Sequence, residues 1–430
     1  MRDRTKRVSR LLLWVLAGAC PALGQISSEE APRARTLPLR EQLKWEAENS
    51  PYRLGPLKIR PLFELRDFGY NNNVFGTETN KVGDYTATVS AGVKVLEPLG
   101  SKMALQGTAA PEYTWYEKLV ERRNLGGAYS ASLLGLFNRM TLEGSGGTLS
   151  QVTLINSESE QAAIETRTNG LARVEVDVLQ YVSVFGGVDA VKTRYNDNGF
   201  TEGNVNSVGL LDRTEWAWRG GIRYRFSGQV GIGAQVEKTR ADFVQEGDNR
   251  NNDSTGYLLV ARYDRPRFYL DASGGYREGK GRDGAAPSLY PAYHTGTYSF
   301  FASYFLTREV ELQVSGHRRP VDSFFLDNPY FFETRNAAAV QVSLGQRVGI
   351  RGFVSIGPNS YPTEVLVGTN LVARKDDVTE VGGGLLFRFY RNVAASVGAD
   401  ESRYTSNIDG LTRSVLRISI GMSLKEDFSR

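Results

Sequence analysis

The sequence predicts an all-β protein, a transmembrane antiparallel up-and-down β-barrel of about eighteen strands, with sixteen as the alternative count. Three observations support this fold class. Segments of about 10 to 16 residues alternate between apolar and polar side chains. The connections between these segments are alternately short and long, and the long ones are polar. The 430-residue chain is rich in glycine (46) and aromatic residues (11%), yet it has no apolar run of roughly 18 residues that could form a membrane-spanning helix.

The clearest segment covers residues 214–226. Its even positions carry Trp216, Trp218, Tyr224 and Phe226, whereas its odd positions carry one glutamate and three arginines. Because successive side chains of a strand point to opposite faces, one face is suited to lipid and the other to water. The aromatic residues near both ends correspond to the two aromatic girdles of a transmembrane barrel strand.

The same pattern recurs over nearly the whole chain. The predicted strands are residues 59–68, 84–96, 102–116, 124–137, 139–150, 166–179, 181–195, 213–226, 228–243, 254–264, 267–278, 295–307, 309–318, 334–347, 349–360, 376–390, 392–405 and 411–424. These segments predict a barrel over residues 59–424, followed by a short tail at residues 425–430.

The connections between these segments alternate in length. Tight joins lie at residues 98–100, 138–139, 180–181, 227–228, 265–267, 307–308 and 391–392, and longer polar stretches such as 196–212, 245–253, 279–294 and 320–333 follow one strand later. Outer-membrane barrels have short periplasmic turns and long extracellular loops. An even strand number then places both ends of the barrel in the periplasm, and a soluble β-sandwich does not sort its connections in this way.

The N-terminal 24 residues have the features of a secretion signal. Basic residues at positions 2, 4, 6, 7 and 10 precede an apolar stretch at 11–19, and a small-x-small sequence at 22–24 predicts cleavage before Gln25. We expect export through the general secretion route to the Gram-negative outer membrane. Cys20, the only cysteine, lies within this signal, and a lipidated N-terminal Cys20 remains an alternative.

Loss of the signal changes the charge balance. The signal carries five basic residues and one acidic residue, which accounts for the whole formal charge of +4 and leaves the mature chain neutral. Nucleic-acid binding needs a basic surface and is therefore excluded. A mature chain without cysteine also has no disulfide, thiol nucleophile or thiolate metal site.

Residues 25–58 mix proline, glutamate, arginine and serine without a period of two, although residues 39–47 could form one or two helical turns. We expect a periplasmic tether or cap. Whether this segment plugs the lumen is left open.

The polar strand faces carry the candidate pore-lining residues, among which arginine outnumbers acid. These residues are Arg173, Glu175, Asp177, Glu215, Arg219, Arg223, Arg225, Arg388 and Arg417. Fixed charges set the selectivity of a water-filled pore. We therefore expect a porin-like channel for passive diffusion of small hydrophilic solutes, with a weak preference for anions or sugars. In the alternative, these charges pair across neighbouring strands and only line the wall.

Catalytic, metal and cofactor sites are not predicted, so we expect no enzyme. Ser315 and His317 share a strand face, but a separation of about 7 Å along the strand is too long for a direct hydrogen bond. An outer-membrane hydrolase built on these two residues is the third function considered, after the channel and the non-conducting barrel. His294 has no predicted partner, Asp376 and Asp377 suit a solvated turn better than a Ca²⁺ site, and the glycines at 382–384 suit strand packing.

Residues near the first strand carry a family resemblance. They are Gly-Pro-Leu-Lys-Ile-Arg-Pro at 55–61, Tyr-Asn-Asn-Asn-Val-Phe at 70–75 and Gly-Asp-Tyr at 83–85. This stretch resembles the opening of an outer-membrane β-barrel porin family often encoded beside exopolysaccharide genes, although Asn71 replaces the family's usual acidic residue. The asparagines at 71–73 themselves favour a turn.

The resemblance covers about residues 55–95 and implies location and fold. It also implies an alternative function, a non-conducting barrel that assists exopolysaccharide secretion or surface attachment. The expected partners are outer-membrane lipid and lipopolysaccharide, the barrel-insertion machinery, and exopolysaccharide or its secretion proteins.

Overall fold

The computed structural model describes residues 43, 46–48, 50–196, 207–227, 229–244, 250–282, 290–323, 325, 328–367, 369–390 and 393–424. The predicted signal at 1–24, Cys20 and the tail at 425–430 lie outside the described residues. Among the described residues, no helix is long and apolar enough to cross a membrane.

The described chain forms one antiparallel sheet of nineteen strands. The strands are β1 (Tyr52–Leu54), β2 (Leu57–Asn71), β3 (Asp84–Leu99), β4 (Met103–Tyr116), β5 (Asn124–Leu136), β6 (Met140–Asn156), β7 (Ser159–Leu179), β8 (Val182–Asn196), β9 (Arg213–Ser227), β10 (Val230–Phe243), β11 (Asn252–Asp264), β12 (Phe268–Gly281), β13 (Tyr293–Phe305), β14 (Val310–Asp322), β15 (Tyr330–Leu344), β16 (Val348–Val367), β17 (Asn370–Arg388), β18 (Val393–Ser406) and β19 (Arg413–Leu424). Two 3₁₀-helices lie at Val120–Arg122 and Ser207–Leu211.

Strands β2 to β19 form a closed ring. Each pairs with the next strand in sequence, and β19 pairs with β2, so that Arg417 lies opposite Asn71 and Leu424 lies opposite Phe63. Closure leaves the barrel without an unpaired edge. The predicted antiparallel up-and-down barrel and the count of eighteen strands are therefore confirmed, with β1 as an extra strand paired only to β2.

The outer surface of this barrel is apolar and much of its buried interior is polar. On β9, Trp216, Trp218 and Tyr224 are exposed, while Arg219 and Arg223 on the other face are half-buried. This inverts the arrangement of a soluble protein, in which large apolar side chains cluster inside. It is the arrangement of a barrel whose outer wall contacts lipid.

The two ends of the barrel differ. At one end, named here the turn end, β3–β4, β5–β6, β7–β8 and the later pairs are joined by a few residues each. At the other, named the loop end, most connections are longer. Strands β1 and β2 begin at the turn end, and because both include residues before position 59, they extend into a segment where the sequence predicts no strand.

Two hairpins at the loop end are longer than predicted. The predicted strands stop at residues 150 and 360, whereas β6 continues to Asn156 and β16 to Val367. Their partners begin correspondingly early, at Ser159 in β7 and Asn370 in β17. These extensions project beyond the apolar band of the wall, where no alternation of apolar side chains is required. The sequence pattern therefore does not predict them.

The asparagines at 71–73 fix the connection after β2. The buried Asn73 side chain donates to the carbonyls of Thr77 and Ser414, and the Asn72 side chain accepts the amide of Leu416. The stretch thus binds the β2–β3 connection to β19, which gives it a structural role beside the closing seam.

Candidate functional site: the barrel lumen and its loop-end mouth

Acidic and basic side chains on β7 and β9 meet on the inner wall. The Arg223 guanidinium lies 3.0 Å from Glu175, and Arg225 forms an ion pair with Asp177. Glu175 also accepts a 2.9 Å hydrogen bond from Ser183 on the intervening β8. These side chains share one face because they occupy alternate positions of adjacent strands.

A second group extends the charge pattern across β8 to β12. Arg219 forms ion pairs with both Asp189 and Glu237, and Arg277 pairs with Glu237 from the other side. Arg277 also donates a 3.0 Å hydrogen bond to Ser254. Basic and acidic groups therefore alternate around this part of the wall.

The remaining predicted pore-lining residues are also mostly paired. Arg173 lies 3.7 Å from Glu143, and Glu215 lies 3.1 Å from Arg213. The Arg417 guanidinium donates to Asp400 at 2.8 Å.

Arg388 lies at the turn end of β17, and no ion pair is found for it within the described parts of the chain. We name the paired residues on β6 to β12 the ion-pair ladder. Its members are Glu143, Arg173, Glu175, Asp177, Asp189, Arg219, Arg223, Arg225, Glu237 and Arg277.

A further cluster, which the sequence did not predict, lies at the loop-end mouth. The tip of the β6–β7 hairpin places Glu158 beside Ser323, whose hydroxyl lies 2.9 Å from both carboxylate oxygens. The Arg374 guanidinium lies 3.4 Å from the same carboxylate, and Arg413 donates to the Glu158 backbone carbonyl at 2.7 Å. We name Ser157, Glu158, Ser323, Asn359, Arg374 and Arg413 the mouth cluster.

These contacts require the hairpin tip to cross the mouth. In a ring of eighteen strands, β15 and β16 lie nine strands from β6 and β7 in either direction. Nevertheless, Ser157 contacts Asn359 on β16 at 3.3 to 3.4 Å and forms a hydrogen bond with Glu333 on β15. The tip therefore narrows the opening from one wall to the opposite one.

Arg374 is held from several sides. Its guanidinium donates to Asp376 at 2.7 Å and lies over the rings of Tyr361 and Phe325, 4.3 and 4.6 Å from their centroids. Tyr361 in turn donates to Asp376 at 2.9 Å. Asp376 was predicted to lie in a solvated turn, but it is buried on the inner face of β17.

This part of β17 lies beyond the apolar band, because the charged Lys375 and Asp377 occupy its outer face. Burial raises the pKa of the Tyr361 hydroxyl, and the negative charges of Glu158 and Asp376 raise it further. Burial alone would lower the pKa of Arg374, but its hydrogen bonds and ion pairs with acidic groups outweigh that effect and raise it. Arg374 therefore keeps its positive charge between Glu158 and Asp376.

Glu333 is the centre of a neighbouring group. Its carboxylate lies 3.0 Å from His317 and 3.1 Å from Arg319. Although burial raises its pKa, the hydrogen bond with His317 and the charges of Arg319 and Arg335 outweigh this and lower it.

A hydroxyl, a carboxylate and a histidine thus meet here, but Glu333 lies between Ser157 and His317. A hydrolase needs the histidine next to the nucleophile, so this order does not form a catalytic triad.

The remaining candidate groups do not form a catalytic arrangement. Ser315 is on the same strand as His317, and His294 lies 3.9 Å from the exposed Glu278. Among the described residues, no group of three or more histidine, cysteine or acidic side chains could hold a metal ion.

Leu43 and Glu46, which precede β1, lie at the turn end of the lumen. Leu43 packs against Leu96 and Leu134, and Glu46 forms an ion pair with Lys94. Glu46 also accepts a hydrogen bond from the inward-facing side chain of Gln106. The sequence does not decide whether residues 25–58 plug the lumen; of these residues, the structure places Leu43 and Glu46 at its turn end.

Comparison with known proteins supports the fold. No family model and no curated protein matches the chain. Among solved structures, a BenF-like porin from Pseudomonas fluorescens aligns with a TM-score of 0.50 and 12% identity, covering 85% of this chain and 98% of that one. The outer membrane protein opdK from Pseudomonas aeruginosa aligns with a TM-score of 0.51 and 12% sequence identity, covering 85% of this chain and 98% of that one.

OccK2 from Pseudomonas aeruginosa, in complex with glucuronate, aligns with a TM-score of 0.50 and 12% sequence identity. The alignment covers 85% of this chain and 98% of OccK2. The chain therefore has the fold of these barrels.

Proposed function

We propose that the protein is an outer-membrane, porin-like channel for passive diffusion of small hydrophilic solutes. The observation that carries this proposal is the closed eighteen-strand barrel with an apolar outer surface and a charged inner wall. A barrel this wide encloses more space than its wall side chains fill. Structural similarity to porins supports the same function.

The ion-pair ladder bears on selectivity. Because its arginines are paired with acids, their fields largely cancel beyond a few ångströms, and the wall is polar without a strong net charge. We infer a channel for sugars and small organic ions with a weak anion preference. The structural neighbour OccK2 was solved with glucuronate, a sugar acid, which supports this substrate class.

A planar-bilayer recording of the refolded mature chain tests the channel. We expect a small, steady conductance and a reversal potential only slightly shifted toward anions. Silence in every condition would favour the second function, a non-conducting barrel that assists exopolysaccharide secretion or attachment. That alternative is favoured by one observation, the occupation of both ends of the lumen by Glu46 and Glu158.

The Arg219→Gln variant tests the ladder. It leaves Asp189 and Glu237 without the arginine between them, so the wall gains one net negative charge. One unit charge about 10 Å from an ion in water contributes about 0.4 kcal/mol. Because this energy disfavours the anion and favours the cation by the same amount, we expect the ratio of anion to cation permeability to fall about fourfold, measured from reversal potentials in a salt gradient.

Arg403→Gln is the matched control, because Arg403 pairs with Glu401 on the outer face of β18 and both side chains are exposed. This variant should leave the permeability ratio unchanged. Equal shifts in both variants would show that the ladder does not set selectivity.

A further inference from the structure

The β6–β7 tip presents two chemical groups to the opposite wall. Ser157 offers a hydroxyl, which is bonded by Asn359 and Glu333, and Glu158 offers a carboxylate, which is bonded by Ser323 and Arg374. A hydroxyl next to a carboxylate is the chemistry of a hydroxy acid or sugar acid. The opposite wall therefore already recognises this combination in a segment of its own chain.

The receiving groups form a built site. The side chain of Arg374 is 4% exposed, and it is fixed by Asp376 and by two aromatic rings. Ser323 and Asn359 are fully buried. Preorganised donors of this kind lose little entropy when they bind a carboxylate, and a charge-assisted hydrogen bond is stronger than a neutral one.

We propose that the mouth cluster is a binding site for small hydroxylated carboxylates entering the barrel, and that Glu158 occupies it as an internal competitor. An entering sugar acid replaces the Glu158 carboxylate at Ser323 and Arg374. The β6–β7 tip then loses the carboxylate part of its attachment, is held only by the bonds of Ser157 and of the Glu158 backbone carbonyl, and the mouth widens. This inference rests on the proposed channel function and adds a substrate class and a ligand-dependent opening to it.

Glu158→Gln tests the competition, because it removes the competing charge but keeps the shape of the side chain. Titration calorimetry of the refolded chain with galacturonate should show binding about tenfold tighter than in the wild type. That factor is expected if the internal carboxylate occupies the site about nine-tenths of the time. Glu117→Gln changes an exposed glutamate at the same end of the barrel and should bind like the wild type.

Two further variants test the site itself. Arg374→Gln, introduced into the Glu158→Gln chain, should weaken galacturonate binding at least tenfold. Ser323→Ala in the same background should weaken galacturonate binding about threefold. Because this variant removes only one hydroxyl, it tests the site even if the Arg374→Gln variant fails to fold. Galactose, which lacks the carboxylate, should show no difference among these variants.

The outcomes separate this inference from the channel proposal. Equal affinity of the wild type and Glu158→Gln for galacturonate would overturn the competition, and unchanged binding after loss of Ser323 and Arg374 would overturn the site. Bilayer recordings on the same proteins should show that galacturonate raises the open fraction of the wild type but not of Glu158→Gln. If no variant conducts but the calorimetric pattern holds, the binding site stands and the channel function fails.

Discussion

Replacing Gly69 with valine is expected to stop the barrel from closing. A Cβ atom at Gly69 would lie 1.9 Å from the backbone oxygen of Ile418 and 2.7 Å from the Cα of Ser419, across the β2–β19 seam. Excess volume among movable side chains already costs about 1–3 kcal/mol. Here the obstacle is backbone held in the ladder, so the variant should populate unfolded or open forms that run without the heat-dependent mobility shift of a closed barrel in gel electrophoresis.

Gly144→Val is the matched control. A Cβ atom at Gly144 on β6 meets nothing within 4 Å, so valine is accommodated at an ordinary strand position. This variant should fold to the same extent as the wild type. Equal folding yields for the two valine variants would contradict the importance of the seam.

Deleting residues 25–50 is expected to raise the conductance of the channel several-fold. The deletion removes Leu43 and Glu46 from the turn end of the lumen and frees the inward side chain of Lys94. The β6–β7 tip still narrows the other mouth, so the current should remain below that of an empty barrel of this size. Single-channel recordings in planar bilayers measure the change.

Deleting residues 25–42 is the control, because it shortens the same segment but keeps Leu43 and Glu46. This shorter deletion should conduct like the full mature chain. If both deletions conduct equally, the contacts of Leu43 and Glu46 do not obstruct the lumen.

The strand positions could be predicted because their signal is local. Each strand within the apolar band needs lipid-facing side chains at every second position, as β9 shows with Trp216, Trp218 and Tyr224. The tight joins then identify the turn end. Beyond the band this requirement ends, and β17 carries Arg374, Lys375, Asp376 and Asp377 in succession. The sequence pattern therefore predicts connections where the extended hairpins lie.

The contacts of the candidate site were less predictable. Alternation places Arg219 on the polar face, but its partners Asp189 and Glu237 depend on the register of two neighbouring strands. Glu158 meets Arg374 from 216 positions away, across the mouth, and no periodic pattern encodes such a contact. The role of the ladder in conduction stays a prediction.

The β2–β19 seam also has a kinetic consequence. All the other pairings join consecutive strands and can form as local hairpins, whereas Arg417 reaches Asn71 across 346 positions of the chain (417 minus 71). Closing so long a loop costs entropy before the contacts of the seam have formed to offset it. We therefore expect β2 and β19 to pair slowly and after the hairpins have formed. Until then β2 and β19 are open edges that can pair with other chains. Assembly therefore depends on how soon this last junction forms relative to an encounter between two unfinished barrels.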